Sequence, residues 1–237
     1  MVDQTHGAKE RGMLAGVIFD FDGVIVDSHP LHLQAWKEFF CSVGKDVSDD
    51  ELAFARDGAK REEILRRFLG DMTPQQIQEF GAEKDKLFQS HAGELKLVRG
   101  FAEFLAQLET ANIAVAVASS GSRTRVENTL EKFALRERFC AVVAGDDVAR
   151  GKPDPELFLL AARGMRIAAE NILVCEDAVS GAVAARAAGM RCLAIAGNGT
   201  AAKFKEAGAG MVVEDFSQVK MNAVQQLFAR AAPTATT

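Results

Sequence analysis

The sequence has no apolar run approaching the roughly 18 residues that span a bilayer, so no membrane partner is expected. There is no C-x-x-C spacing among Cys41, Cys140, Cys175 and Cys192, and three of these lie in apolar segments. They read as buried thiols of a reducing compartment rather than a disulfide or zinc framework. With Gly 20 and Pro 5 in 237 residues, collagen-like and low-complexity classes are excluded. A basic block is missing too: Lys+Arg 28 against Asp+Glu 33 gives a formal charge of -5. That removes the electrostatic footprint of a dedicated nucleic-acid binder. If the ligand is an anion, the positive charge that meets it must be local. The first twelve residues are polar and carry no apolar signal core, so a cytoplasmic location is expected. Residues 1–13 and 231–237 read as flexible ends, and no internal repeat is evident.

What is present is a globular composition, 48% hydrophobic and 26% charged, in a chain long enough to bury about 70% of its unfolded surface. Six short apolar runs, at 17–21, 113–117, 139–143, 172–175, 192–195 and 211–213, are continuous rather than alternating. Strands buried on both faces of a parallel sheet have this pattern. Helical periods fill the gaps between the later runs, at 123–133, 155–165, 179–188 and 200–207. The alternation predicts an α/β fold with a doubly wound parallel sheet.

Ninety residues separate the first two runs, where a crossover needs about a dozen. Segments 30–43, 51–54, 61–69, 74–89 and 101–108 read as helices, with Leu31, Ala35 and Phe39, and then Ile64, Leu65 and Phe68, at core spacings. Residues 31–97 are therefore expected to be a helical subdomain inserted after the first strand of a core formed by 14–30 and 98–230.

Ligands of open parallel sheets bind outside the carboxyl ends of the strands. The first strand ends in Asp20-Phe21-Asp22-Gly23, the second in Ser119-Ser120-Gly121-Ser122 and the fourth in Glu176-Asp177. Lys152 follows the third, just ahead of Asp154 and Pro155, which read as N-cap and first position of a helix. Taken singly these are ordinary: a lone D-x-D is more often a loop or cap, Ser122 an N-cap, Lys152 a solvated lysine. Together, four acids on one rim would repel unless a hard cation joined them, and Mg²⁺ suits carboxylates plus phosphate. Hydroxyls and amides at a helix N-terminus suit an oxyanion. Acids for a metal, an oxyanion site and an ammonium point to phosphoryl transfer. A receiver-type signalling module shares some of these parts, but it is about half this length and lacks the insertion. A non-catalytic α/β module holding a structural cation is the other alternative.

Residues 17–28, the strand ending at Ser119, residues 151–158 and residues 174–181 resemble, in order, the four motifs of the haloacid dehalogenase superfamily. The insertion is similar to the small helical cap of the subfamily that includes phosphoglycolate phosphatase, sugar-phosphate phosphatases and β-phosphoglucomutase. The resemblance implies Asp20 as the nucleophile that becomes an aspartyl phosphate, and Asp22 as the general acid and then base. It implies Ser119 on a phosphoryl oxygen, with Ser120 and Gly121 beside it, and Lys152 neutralising charge at the nucleophile. Mg²⁺ is implied on Asp20, the Asp22 carbonyl and Asp177, with Glu176 assisting. Relatives that cleave C–halogen or C–P bonds lack the acid at the position of Asp22, so phosphate-ester chemistry remains.

In the cap, His32 lies ten residues after Asp22, as in β-phosphoglucomutase-like members where a histidine helps position the acid/base, and Trp36 follows one turn later. Arg61 matches the cap arginine that grips a distal phosphate, a role its fork geometry suits. As ordinary residues both would be partly exposed helix positions. The cap lysine of those mutases has no clear equivalent, Lys86 being nearest in register. Arg99-Gly100 stands where the subfamily has Pro-Gly, which implies a looser hinge. The expectation is a monomeric or weakly associated Mg²⁺-dependent phosphatase of a small phosphorylated metabolite, a sugar phosphate, with a sugar phosphomutase as the alternative.

Overall fold

A computed structural model describes residues 12–52, 54–55, 61–196 and 199–229. Six strands form one parallel sheet in the order β3-β2-β1-β4-β5-β6. They are β1 (Gly16–Phe19), β2 (Ala114–Ala118), β3 (Ala141–Val143), β4 (Ile172–Glu176), β5 (Arg191–Ile195) and β6 (Met211–Val213). The chain runs outward from β1 to β3 and then returns to place β4 on the free side of β1. That reversal leaves a crevice at the carboxyl ends of β1 and β4, where their loops part in opposite directions.

The burial of the central strands explains their unbroken apolarity. Ile18, Ala116, Val174 and Cys192 point to one face and are covered by Leu157, Phe158 and Ala161 of α6 (Glu156–Met165) and by Ala182 and Ala185 of α7 (Val179–Ala187). Phe19, one residue on and so on the other face, sits among Phe101, Phe104, Phe139 and Phe216 with centroids 5.3 to 6.3 Å away. Phe101 and Phe104 belong to α4 (Phe101–Thr110). The other helices of this unit are α5 (Arg123–Lys132), α8 (Ala201–Ala207) and α9 (Met221–Ala229).

The chain divides into two compact units, one containing the sheet and the other spanning Ile25–Val98. In the second, α1 (His29–Ser42), α2 (Arg61–Leu69) and α3 (Pro74–Ser90) enclose Leu33, Trp36, Phe39, Phe40, Leu52, Ile64 and Leu65. The ends of this unit are tied together: Val98 N–H donates to the Ile25 carbonyl at 3.0 Å and Asp27 N–H to the Lys96 carbonyl at 2.9 Å. Helix α3 starts at a reciprocal capping box of Thr73 and Gln76, with Pro74 in its first turn.

Several expectations shift. Residues 51–52 form a turn instead of opening a helix, because the Glu51 carboxylate accepts from the amide and hydroxyl of Ser48 at 2.9 and 2.8 Å, a local closure that competes with helix. Cys140 is exposed, since the edge strand β3 begins only at Ala141; Cys41 is exposed as well, and Cys175 and Cys192 are buried. Helix α9, with Val224 and Phe228 buried, was not foreseen. Of the ends read as flexible, only Gly12 and Met13 fall among the described residues, and Gly12 N–H donates to the Asn171 side chain at 3.2 Å. At Arg99-Gly100, Phe216 N–H donates to the Arg99 carbonyl at 3.1 Å, and Gly100 packs against the Ser217 backbone at φ 76°. No helix among the described residues is long and apolar enough to cross a membrane.

A Cβ at Gly100 would overlap the Ser217 amide in a backbone region that other residues rarely occupy. Gly100→Ala is expected to destabilise the protein by about 1–3 kcal/mol in urea unfolding. An unchanged midpoint would show that the junction yields.

Candidate active site

Four loops at the carboxyl ends of the strands carry the site. Asp20 directly follows β1, and its amide is held by the Cys175 carbonyl of β4 at 2.9 Å. That bond sets Asp20 beside Glu176, the last residue of β4. Lys152 reaches both: its Nζ lies 2.5 Å from Asp20 Oδ1 and also donates to Glu176 Oε1. All three are withdrawn from solvent, with side-chain exposures of 10% for Asp20, 8% for Lys152 and 1% for Glu176. The Lys152–Pro153 peptide is cis.

The electrostatics of this trio follow from counting charges in a dry place. Burial raises the Asp20 carboxyl; Lys152 pulls it back, Glu176 and Asp22 push it up again, and the net shift is upward. Glu176 is raised in the same way, by burial first and then by Asp177 against the pull of Lys152. Burial would lower Lys152, but Asp20 and Glu176 reverse that and keep it charged. One ammonium does not balance the acids around it. Oxygens of Asp20, Glu176 and Asp177 lie within 4.8 Å of one another, an all-oxygen donor set whose chemistry fits a hard divalent cation. Gly181 in α7 makes room for this set, because a Cβ there would overlap the Glu176 carboxylate. The other Glu176 oxygen accepts from the Ala178 amide at 2.8 Å.

Asp22 stands apart from that cluster. Gly23 turns the chain at φ 73°, and both Asp22 oxygens accept from the Arg125 guanidinium, at 2.8 and 2.5 Å. Ser119 is buried at the end of β2, and its Oγ accepts from the Gly121 amide at 3.0 Å. Ser120 is exposed. Ser122 begins α5 without a side-chain cap; the Asp146 carboxylate takes the Arg123 amide instead, at 2.7 Å. Asp154 accepts from the Glu156 amide at 3.0 Å, one residue later than expected, since Pro155 occupies the cap position of α6.

A second cluster lies within Ile25–Val98. His29, His32, Trp36, Arg61 and Lys84 line a cavity of about 240 Å³. Lys84 Nζ is 2.7 Å from His32 Nδ1, so Nδ1 is the acceptor and the ring proton sits on Nε2. The His32 ring stacks on Phe88 at 4.2 Å, and the Lys84 ammonium lies over Trp36 and Phe88. Arg61 pairs with Asp85 at 2.6 Å. Residues 56–60, just before Arg61, lie outside the described residues. Lys86 is not part of this cluster: its side chain is 73% exposed and paired with Glu83.

Lys84 and Arg125 are the residues that sequence reasoning missed. Each left a signal. Lys84 falls at the helical spacing of Gly81 and Phe88, on the buried face of α3, where a lysine needs a reason. Arg125 sits in the first turn of α5, where the helix dipole disfavours a cation.

With this geometry in place, the comparisons with known proteins are specific. The haloacid dehalogenase-like hydrolase profile matches residues 17–195. The chain belongs to that family. A phosphorylated carbohydrates phosphatase of Thermotoga maritima is 32% identical over 181 residues, 75% of this chain and 82% of its own. The β-phosphoglucomutase of Bacillus subtilis is 32% identical over 192 residues, 75% of this chain and 81% of its own. Among solved structures, CbbY of Rhodobacter sphaeroides in complex with xylulose-1,5-bisphosphate superposes with a TM-score of 0.74 at 28% identity, covering 90% of this chain and 100% of that one. Hydrolases of this family generally use a divalent metal, consistent with the Asp20, Glu176 and Asp177 donor set.

Gly181→Ala is expected to push Glu176 aside and weaken binding of a divalent ion by about 10- to 100-fold in calorimetry. Wild-type affinity in a folded variant would remove Glu176 from the account of the metal site.

Proposed function

We propose that the chain is a Mg²⁺-dependent phosphatase of a small phosphorylated metabolite, a sugar phosphate, acting through an aspartyl phosphate on Asp20. The observation that carries this reading is Asp20 itself: a buried carboxylate at a strand end, steered by Lys152, with a second carboxylate two residues on. Asp20, the Asp22 carbonyl and Asp177 would hold the ion, with Glu176 assisting. When bound, Mg²⁺ supplies positive charge for the phosphoryl oxygens at a rim that is otherwise too acidic to receive an anion.

The chain's own residues then divide the work. Asp20 attacks phosphorus, and Lys152 orients it while offsetting charge. The Ser119 hydroxyl and the Ser120 amide receive a phosphoryl oxygen, with Gly121, whose amide holds Ser119 Oγ, beside them. Asp22 protonates the leaving oxygen and afterwards takes a proton from the attacking water. Within Ile25–Val98, Arg61 and Lys84 offer cations to a phosphate or hydroxyl, and His32 is oriented by Lys84. The Arg61–Asp85 pair is about half exposed, hence worth only about 0–1 kcal/mol, so a phosphate or hydroxyl can displace it.

The basic character of the 240 Å³ cavity favours a second reading, a sugar phosphomutase, in which a distal phosphate sits on Arg61 and an acceptor hydroxyl replaces water. Steady-state assay on β-glucose 1-phosphate, with and without a glucose 1,6-bisphosphate primer, separates the two. Phosphate release from several sugar phosphates, indifferent to primer, is expected; primer-dependent glucose 6-phosphate without free phosphate would establish the mutase instead. Asp20→Asn is expected to abolish turnover, and more than a few percent of residual activity would sink the nucleophile assignment. Asp22→Asn is expected to slow breakdown of the phosphoenzyme by about 100-fold or more in quenched-flow experiments.

A further inference from the structure

We propose that Arg125 is a positioning residue for Asp22, and that Gly121 is the seat that lets it act. This rests on the reading of Asp22 as the proton-transfer group. Arg125 leaves the first turn of α5 and meets Asp22 end-on, Nη1 to Oδ1 at 2.8 Å and Nη2 to Oδ2 at 2.5 Å. Its guanidinium Cζ lies 5.5 Å from the centroid of the Phe21 ring. On another side it touches Gly121, where a Cβ would overlap Nη2. The pair is withdrawn from water, with side-chain exposures of 16% for Arg125 and 25% for Asp22. A surface ion pair swings freely; this one is boxed in by a ring, a glycine and a helix start.

The geometry has a chemical consequence. A carboxylate can rotate about its last bond, yet a proton-transfer group must present one oxygen to one place. The planar fork takes one acceptor direction on each oxygen and so sets the plane of the carboxylate. The Asp22 plane is thereby fixed to α5 and to the Ser119–Ser122 turn, which is the proposed phosphoryl-binding loop. Group and target are thus aligned through one short stretch of chain. Lysine cannot reproduce this, because a point charge does not set a plane.

The first half-reaction shows how the alignment can be read. Asp20 oxygen bonds to phosphorus and the ester P–O bond breaks, its electron pair remaining on the leaving oxygen. From an alkyl phosphate that oxygen must take a proton to depart as an alcohol, and Asp22 delivers it once its carboxylate has taken one up from solvent. From dinitrophenyl phosphate it departs as a stable phenolate and needs no proton. Misplacing Asp22 therefore penalises the alkyl ester more than the activated aryl ester, a skew that general loss of structure does not produce.

The test is single-turnover phosphorylation by a sugar phosphate and by dinitrophenyl phosphate, comparing wild type with Arg125→Lys, Gly121→Ala and Asp22→Asn. Gly121 lies outside the left-handed region, so alanine is allowed by the backbone, and its Cβ would meet the guanidinium first. Asp22→Asn sets the full skew. Arg125→Lys and Gly121→Ala are each expected to slow the sugar phosphate about 10-fold or more beyond their effect on the aryl ester. If Asp22→Asn is skewed while both other variants, with wild-type thermal unfolding, are not, the role of Arg125 is overturned and the proposed function stands. If Asp22→Asn itself shows no skew, the acid role of Asp22 falls, and the role of Arg125 with it.

Discussion

Lys152 places a charged nitrogen between Asp20 and Glu176 where its side chain is only 8% exposed, and the other features of the rim depend on that arrangement. Removing Lys152 would leave two buried carboxyls without their partner, which costs about 3–5 kcal/mol. The ammonium fixes the Asp20 carboxylate and stops the two buried acids from driving each other apart. It does not neutralise them, since Asp177 and Asp22 add to the same field and both buried carboxyls remain raised. An acidic chain is thereby left with a site that is short of one cation. A hard divalent ion is the kind of charge that would meet that deficit.

Topology puts the three groups together. Asp20 and Glu176 are far apart in the chain but end adjacent parallel strands, because the chain, after running outward to β3, returns to add β4 on the free side of β1. The register of that pair matches Phe19 with Cys175, so the next residues of the two strands are neighbours at the rim. Lys152 arrives from the loop before α6, whose apolar face is packed on the same sheet. Small residues then make space for charge: Gly181 for the Glu176 carboxylate and Gly121 for the Arg125 guanidinium.

Much of this was legible in the sequence, for a physical reason. Strands buried on both faces must be apolar without alternation, so all six were found to within two residues, and the polar residues that end them named the rim. Strand ends were less clear, because hydrogen bonding ends β1 at Phe19 although Phe21 is equally buried. Helix α9 escaped because the strand-and-helix alternation has no following strand to demand it. Lys84 and Arg125 escaped because their roles depend on partners 52 and 103 residues away. Only a fold brings those partners within reach. The exposed Cys140 was misread because apolar neighbours do not reveal which strand lies at an edge.

The central claim is that Asp20 is the atom-bearing group that accepts phosphate. It is tested most directly by acid-quenching the enzyme during turnover of a sugar phosphate with Mg²⁺, reducing with labelled borohydride and mapping the label. An acyl phosphate is reduced to homoserine at its own position. The account predicts label at position 20, dependent on substrate and on the divalent ion; label at another carboxylate, or none in a preparation that is turning over, would contradict it.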